Sequence, residues 1–352
     1  MIKSLRNKID SIDKRITELL NTRAMIILEV AKVKQKSGES IYSPAREAEV
    51  LKRIASQSKG PLDAKALEAI YREIMSASLA LEKPLKIAYM GPEASFSHLA
   101  AVKRFGSQVT YLACESISDV FLEVERGSAD YGVVPIENSI EGAVSHTLDV
   151  FVDSDLKICA QMILDVSHNL LANCPKNKIK YVYSNPQVFG QCRIWMQENL
   201  PGVELVEVSS TTRAAQIAAK EKNSACIASL LAAKVYKLKI IASDIEDSPH
   251  NVTRFLVVGK NDVKETGHDK TSLLFSIKDK VGALYDMLLS FKKFNINLTK
   301  IESRPSKKRA WDYYFFVDLE GHEDNPRVKK AILDLEKKCK FLKVLGSYPT
   351  GE

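Results

Sequence analysis

At 352 residues the chain exceeds what one hydrophobic core organises, so two or three domains are expected. Its net charge of +7 is scattered, and the one dense basic run, SKKR at 306–309, reads as a solvated hairpin tip; this argues against nucleic acid and suits small acidic metabolites. Six cysteines with no CxxC or Cys/His zinc spacing read as free thiols without a metal, the charged start MIKSLRNKID lacks a signal-peptide core, and the apolar run ACIASLLAA is far short of a bilayer span, so a cytoplasmic, membrane-free protein is expected.

Residues 1–83 read as all helix. The first helix, about Ile2 to Gln35, carries a seam of Ile2, Leu5, Ile9, Ile12, Ile16, Leu19, Arg23, Ile26, Val30 and Val33. At ~1.5 Å per residue it is ~50 Å long, longer than a small domain is wide, so part of the seam is expected to pack on another chain. A second helix starts at Ser43-Pro44, a cap followed by a first-turn proline, and a third is capped by Asp63 and ends at Lys83-Pro84.

From Leu85 the period shortens. KIAYM, DYGVVPI, KICAQMIL, KYVYS, VELVEVS, SACIAS, KIIAS and TRFLVVG are strand-like, and helical patterns such as ISDVFLEVERG and PQVFGQCRIWMQENL separate many of them. This alternation predicts an α/β domain over 85–262 with parallel strands. A polar linker, KNDVKETGHDK, precedes a βαββαβ pattern over 270–352, the ferredoxin-like α+β plan.

Arg23 is the one member of the seam that is not aliphatic. It is eleven residues from Lys34, and three helical turns take about 10.8 residues, so both cations point the same way. Taken alone, the pair could snorkel from the seam edge. Arg46, Glu47, Ser78 and Glu82 also take inward positions on the other helices, and Arg6 lies beside the seam near its start. A helical interior lined by cations, a serine and a glutamate is costly if empty and makes sense around an anion.

These segments, LRNKIDSIDKRITELLNTRAMIILEVAKVKQ, SPAREAEVLKRI and REIMSASLALEK, resemble the all-helical chorismate mutases, in which two chains intertwine through the long helix. The resemblance implies that Arg23, Lys34 and Arg46 bind the carboxylates and ether oxygen of chorismate, that Arg6 comes from the partner chain, and that Ser43, Glu47, Ser78 and Glu82 complete the site. Ser43 stands where some members have Asp. Lys34 and Glu82 would flank the ether oxygen. Glutamate donates only when protonated, so mutase activity is expected to fall with rising pH.

In the middle domain, GPEASFS (91–97), PIENSIEG (135–142), SNPQVFGQC (184–192) and SSTTRAA (209–215) follow strands and lead into helices. Singly, each is a well-capped turn; together they place helix N-termini at a cleft suited to an anion. GPEASFS is not a dinucleotide fingerprint. These loops together with NVTRF (251–255) resemble prephenate dehydratase, whose two α/β lobes resemble type 2 periplasmic binding proteins. That implies a reaction without cofactor or metal, Thr253 assisting departure of the ring hydroxyl, and Asn138, Ser139, Ser184, Gln191, Ser210 and Thr211 orienting prephenate. Arg254 is a candidate carboxylate anchor, though a strand arginine is as often a structural ion pair.

In the last domain, GALYDML (282–288) and IESRP (301–305) resemble the ACT regulatory domain of prephenate dehydratases. Gly282, Ala283, Leu284, Glu302, Ser303, Arg304 and Pro305 would then bind L-phenylalanine between paired ACT domains and mediate inhibition. The resemblance implies a bifunctional mutase–dehydratase, a homodimer or tetramer assembled through the long helix and the ACT domains. The alternatives are a helical segment that only dimerises the chain, and a middle domain that senses an amino acid without catalysis.

Overall fold

The computed structural model describes residues 1–37, 41–248, 250–277, 280–306 and 313–350. Most of the expected SGES turn and SKKR tip lie outside the described residues.

Helices α1 (Ile2–Ser37), α2 (Pro44–Gln57) and α3 (Ala64–Glu82) start where their sequence signals predict: the Ser43 hydroxyl accepts from the Arg46 N–H and the Asp63 carboxylate from the Ala66 N–H. Both α1 and α2 pack on α3. The face of α1 that is half-buried is Arg23, Ala24, Ile27, Ala31 and Lys34. The aliphatic seam from Ile2 to Leu19 stays exposed along its whole length, as do Ile26, Val30 and Val33. Thus Arg23 lies where the seam meets a second, intrachain face. Residues 104–110 belong to this helical unit, which comprises Met1–Lys86 and Arg104–Thr110. Gly106, at φ +75°, approaches α3 so closely that a Cβ would come within 2.5 Å of Ser76.

The second unit, Ile87–Lys103 and Tyr111–Glu352, holds three sheets. Its elements run β1 (Lys86–Met90), α4 (Phe96–Phe105), β2 (Thr110–Cys114), α5 (Ile117–Arg126), β3 (Tyr131–Asn138), β4 (Gly142–Ala143), α6 (Ser145–Asp153), β5 (Lys157–Asp165), β6 (Asn169–Ala172), β7 (Tyr181–Ser184), α7 (Pro186–Gln191), α8 (Arg193–Asn199), β8 (Glu204–Glu207), α9 (Thr211–Ala218), β9 (Ser224–Ala228), α10 (Leu230–Val235), β10 (Lys239–Ala242) and β11 (Val252–Gly259). One lobe is the sheet β2-β1-β3-β11-β5, with β4 on β3; the other is β10-β6-β9-β7-β8. Both are mixed, not parallel: β11 runs antiparallel to β3 and β5, and β6 runs antiparallel to β9 and β10. The chain leaves the first lobe after β5 and returns on β11, and a returning strand has no helical crossover to turn it parallel.

The two crossings are bonded together. The Val166 N–H donates to the Asn251 carbonyl at 2.8 Å, and the Ile245 N–H to the His168 carbonyl at 2.9 Å. The single helix expected over PQVFGQCRIWMQENL breaks at Cys192. Its cause is remote: the Asp247 carboxylate, from the return crossing, accepts from the Ile194 and Trp195 N–H groups and caps α8.

The remaining elements are β12 (Asp269–Ile277), α11 (Ala283–Lys293), β13 (Leu298–Pro305), β14 (Tyr313–Glu320), α12 (Pro326–Glu336) and β15 (Cys339–Pro349), in the sheet order β13-β14-β12-β15 of a ferredoxin-like fold. This sheet buries Leu274, Phe316, Leu345 and Tyr348 against Phe151, Ile158 and Leu256 of the first lobe. All six cysteines are free thiols. No helix among the described residues is long and apolar enough to cross a membrane.

Candidate active sites

In the helical unit, the Arg23 guanidinium donates to the Ser78 hydroxyl, which in turn donates to the Ile74 carbonyl one turn back on α3 at 2.8 Å. One turn further along α3, the buried Glu82 carboxylate meets the Lys34 ammonium at 3.1 Å, and Lys34 also donates to the Ile41 carbonyl at 2.9 Å. Thus Arg23, Lys34, Ser78 and Glu82 are brought together on facing sides of α1 and α3. The Glu82 carboxylate explains how the Lys34 charge is tolerated at a half-buried face.

The other expected mutase residues have different partners. Arg46 is exposed and pairs with Glu49 at 2.6 Å, an i,i+3 contact on α2. Ser43 caps α2. Glu47 pairs at 2.8 Å with Arg104, whose Nε donates to the Tyr42 hydroxyl at 2.7 Å. Nothing in the helical sequence pointed to Arg104 or Tyr42, because Arg104 arrives from α4, more than fifty residues downstream. Arg6 and Arg23 are seventeen residues apart on one straight helix, about 25 Å along its axis. One chain cannot bring them to one small ligand.

In the two-lobed region, Asn138 and Thr253 are cross-strand partners on β3 and β11, so their side chains share a face. The Asn138 Oδ1 accepts from the Ile140 N–H at 2.9 Å and the Glu141 N–H at 3.0 Å. Those two backbone donors fix the orientation of the amide. Its Nδ2 must therefore donate, and it does so to Thr253 Oγ1 and to Asn251 Oδ1, each at 2.8 Å. The chain continues: Asn251 Nδ2 donates to Gln191 Oε1 at 3.2 Å, and the His168 Nε2–H donates to the same oxygen at 2.7 Å. Each polarity follows from the one before. Two donors are left over: the Thr253 hydroxyl proton and the Gln191 Nε2.

This chain spans both lobes and both crossings. His168 lies in the first crossing and Asn251 at the end of the second, so neither carries a local motif signal; only NVTRF placed Asn251 near Thr253. Burial lowers the pKa of His168 and outweighs the Gln191 bond that raises it, so the ring is neutral. Its Nδ1 is buried without a hydrogen-bond partner.

The other expected prephenate residues are committed locally. Ser184 is fully buried and donates to the Ile227 carbonyl at 3.0 Å. Ser139 donates to the His250 carbonyl at 2.8 Å and accepts from the Val252 N–H at 3.0 Å. Ser210 caps α9 and Thr211 is that helix's first residue. Arg254 differs from the carboxylate anchor expected for prephenate. As the next residue on a strand it points to the opposite face from Thr253. There it meets Asp318 at 2.6 Å and the Tyr348 hydroxyl at 3.0 Å. It anchors a carboxylate, but that of the ferredoxin-like domain.

In that domain Gly282, at φ +77°, opens α11, followed by Ala283 and the exposed Leu284. Glu302, Ser303, Arg304 and Pro305 lie on β13, where Arg304 donates to Ser145 at 2.7 Å and to both Asp149 oxygens at 3.3 Å. Among the described residues no hydrogen bond joins the two motifs within the chain.

In chain order the protein is a three-helix unit, then a two-lobed α/β region, then a ferredoxin-like domain. Family comparison divides the chain the same way, as chorismate mutase type II over residues 5–83, prephenate dehydratase over 87–263 and an ACT domain over 271–337. The bifunctional chorismate mutase/prephenate dehydratase of Aquifex aeolicus is 50% identical over 99% of this chain and 98% of its own. That of Escherichia coli is 30% identical over 99% and 96%. Among solved structures, the prephenate dehydratase of Arthrobacter aurescens in complex with L-Phe matches with TM-score 0.69 and 32% identity, over 75% of this chain and 90% of its own. The chain belongs to the bifunctional chorismate mutase/prephenate dehydratase family. It carries both activities, in phenylalanine biosynthesis.

Proposed function

We propose that the mutase reaction takes place at Arg23, Lys34, Ser78 and Glu82, and the dehydratase reaction at Thr253, Asn138 and Gln191. The observation that carries the second assignment is the hydrogen-bond chain that begins on backbone N–H groups and leaves the Thr253 proton free to donate. Prephenate loses its ring carboxylate as CO2. The bonding pair enters the ring, the carbon–oxygen bond breaks toward oxygen, and that oxygen leaves as water after gaining a proton. Aromatisation drives the step. The chain supplies a hydrogen bond to the departing oxygen from Thr253, with Gln191 as a second donor to the substrate. Neutral threonine is too weak an acid to be a free proton source, so it acts as donor or relay.

Chorismate rearranges without proton transfer, so holding the reactive conformer and stabilising charge on the breaking carbon–oxygen bond are what the site contributes. Arg23 and Arg46 are assigned to the carboxylates, with Ser43 and Glu47 at the edge of the same site. Lys34 and Glu82 part to flank the ether oxygen. Arg6 comes from a second chain, because of its distance from Arg23. The exposed stripe Ile2, Leu5, Ile9, Ile12, Ile16 and Leu19 supports a dimer through α1. The assembly, a dimer or tetramer, also uses the ACT domains. There L-phenylalanine binds at Gly282–Leu284 and Glu302–Pro305 and inhibits, a reading supported by the L-Phe complex of the Arthrobacter relative. The enzyme acts in the cytoplasm, and its domains are 1–83, 85–262 and 270–352.

Two variants test the assignment. Thr253→Ala should abolish phenylpyruvate formation and spare the mutase. Arg23→Ala should cripple the mutase and leave added prephenate a substrate. Near-normal dehydratase turnover in Thr253→Ala, or near-normal mutase turnover in Arg23→Ala, refutes the corresponding site.

A further inference from the structure

Thr253 and Asn138 form one rung of the β3–β11 ladder. The next rung is Arg254 and Glu137. Adjacent rungs point to opposite faces of a sheet, so the first faces the Asn251–Gln191 chain and the second faces the ferredoxin-like domain. That second rung is held there by charge. Asp318 on β14 meets Arg254 at 2.6 Å, and Lys300 on β13 meets Glu137 at 2.8 Å. Arg254 and Glu137 are themselves 3.9 Å apart, linking the two pairs into a row of four charges in which Arg254, Asp318 and Lys300 are each less than 15% exposed.

The set is braced further. Ser272 donates to Asp318 at 2.6 Å and lies 2.6 Å from the Tyr348 hydroxyl, which also takes a bond from Arg254. A cavity of 20 Å³ beside Arg254, Lys300, Asp318 and Ser272 has room for one water. On β13, Lys300, Glu302 and Arg304 alternate with exposed residues, and Arg304 grips Ser145 and Asp149 on α6. The strand is therefore tied to the catalytic lobe at two points. A third close approach lies at Gly346, at φ +148°, where a Cβ would collide with the Ile158 backbone.

We propose that Asp318 and Lys300, both in the C-terminal domain, are positioning residues for dehydration: by gripping Arg254 and Glu137 they set the rung on which Thr253 and Asn138 stand. The chemistry depends on a 2.8 Å contact between those two side chains, and a shift in one strand relative to the other changes it directly. The ionic set also gives β13, which carries the Glu302–Pro305 motif, a mechanical route to the reacting groups. A change in β13 reaches Glu137 through Lys300 without passing through the hydrophobic core. This inference rests on the assignment of Thr253 and Asn138. Failure of that assignment is seen separately, as activity retained in Thr253→Ala.

The test uses the full-length enzyme. In Asp318→Asn and in Lys300→Met, kcat for prephenate should fall about tenfold or more while KM stays within about twofold, because strand displacement of well under 1 Å misplaces the donor without removing binding groups. The paired variant Arg254→Met with Asp318→Leu replaces the ion pair with apolar side chains of similar size, which commonly restores stability. Its thermal midpoint should recover while kcat stays low. Recovery of kcat together with the midpoint shows that the pair only stabilises the fold and overturns the proposal. So does a kcat within about twofold of wild type in both single variants. Asp318→Glu should regain part of the lost kcat, since it restores the charge facing Arg254.

Discussion

Asn138→Asp changes one heavy atom of the hydrogen-bond chain proposed for dehydration. The substitution keeps the side-chain volume and both bonds accepted from the Ile140 and Glu141 N–H groups, which a carboxylate accepts more strongly than an amide. The fold therefore survives. What changes is the 2.8 Å contact with Thr253. An acceptor now faces the hydroxyl, so the hydroxyl proton turns toward residue 138 and no longer toward the substrate. The second contact, 2.8 Å to Asn251 Oδ1, becomes acceptor against acceptor, which drives the Asn251 amide to turn and give up its bond to Gln191. Losing one aligned donor to a developing oxyanion costs about 10²–10³ in kcat, or about 3–4 kcal/mol. Dehydratase kcat should fall by that factor, read as phenylpyruvate formed from prephenate. Mutase turnover in the same sample serves as the internal control, since the residues proposed for it lie in the helical unit. A dehydratase kcat within about threefold of wild type would refute the donor polarity deduced for Thr253.

Three further outcomes follow from other parts of the molecule. Glu82→Gln should retain mutase turnover, because an amide donates to the ether oxygen where a carboxylate only accepts; turnover lost in that variant removes this role for Glu82. Folding stability should decline below about pH 6.5, where an unfolded histidine binds a proton that buried His168 refuses. Its contribution is fully present above that pH and is lost as pH falls toward the depressed folded value, by at most about 1.4 kcal/mol per unit. Urea midpoints at about pH 7.5 and 5.5 should show the drop, and an unchanged drop in His168→Gln counts against it. Finally, millimolar L-phenylalanine should inhibit dehydration; equal rates with and without it refute the assignment of Gly282–Leu284 and Glu302–Pro305.

Local chemistry was legible from residue order. Ser43-Pro44 and Asp63 cap helices because their side chains reach N–H groups three residues away, an interaction wholly contained in the sequence. The βαββαβ pattern over 270–352 folds as read for the same reason: short elements and short connections leave few arrangements. The break at Cys192 was not legible, since Asp247 supplies the cap from across the crossing. Nor was the pairing of Glu47 with Arg104, which arrives from another part of the chain.

The two arginines first singled out divide the question most sharply. Helical periodicity alone set Arg23 and Lys34 on one face, because the rise and twist of one helix relate them. For Arg254 the strand pattern put it one residue after Thr253, and its destination depended on which sheet lay behind β11. That sheet belongs to β12–β15, and its Asp318 and Tyr348 claim the guanidinium. Residue types and local periods therefore determined which groups were available and which faces they took. Only long-range packing decided which partner each face met, because partners such as Asn251, His168 and Asp318 are brought close by chain crossings and domain docking, not by spacing.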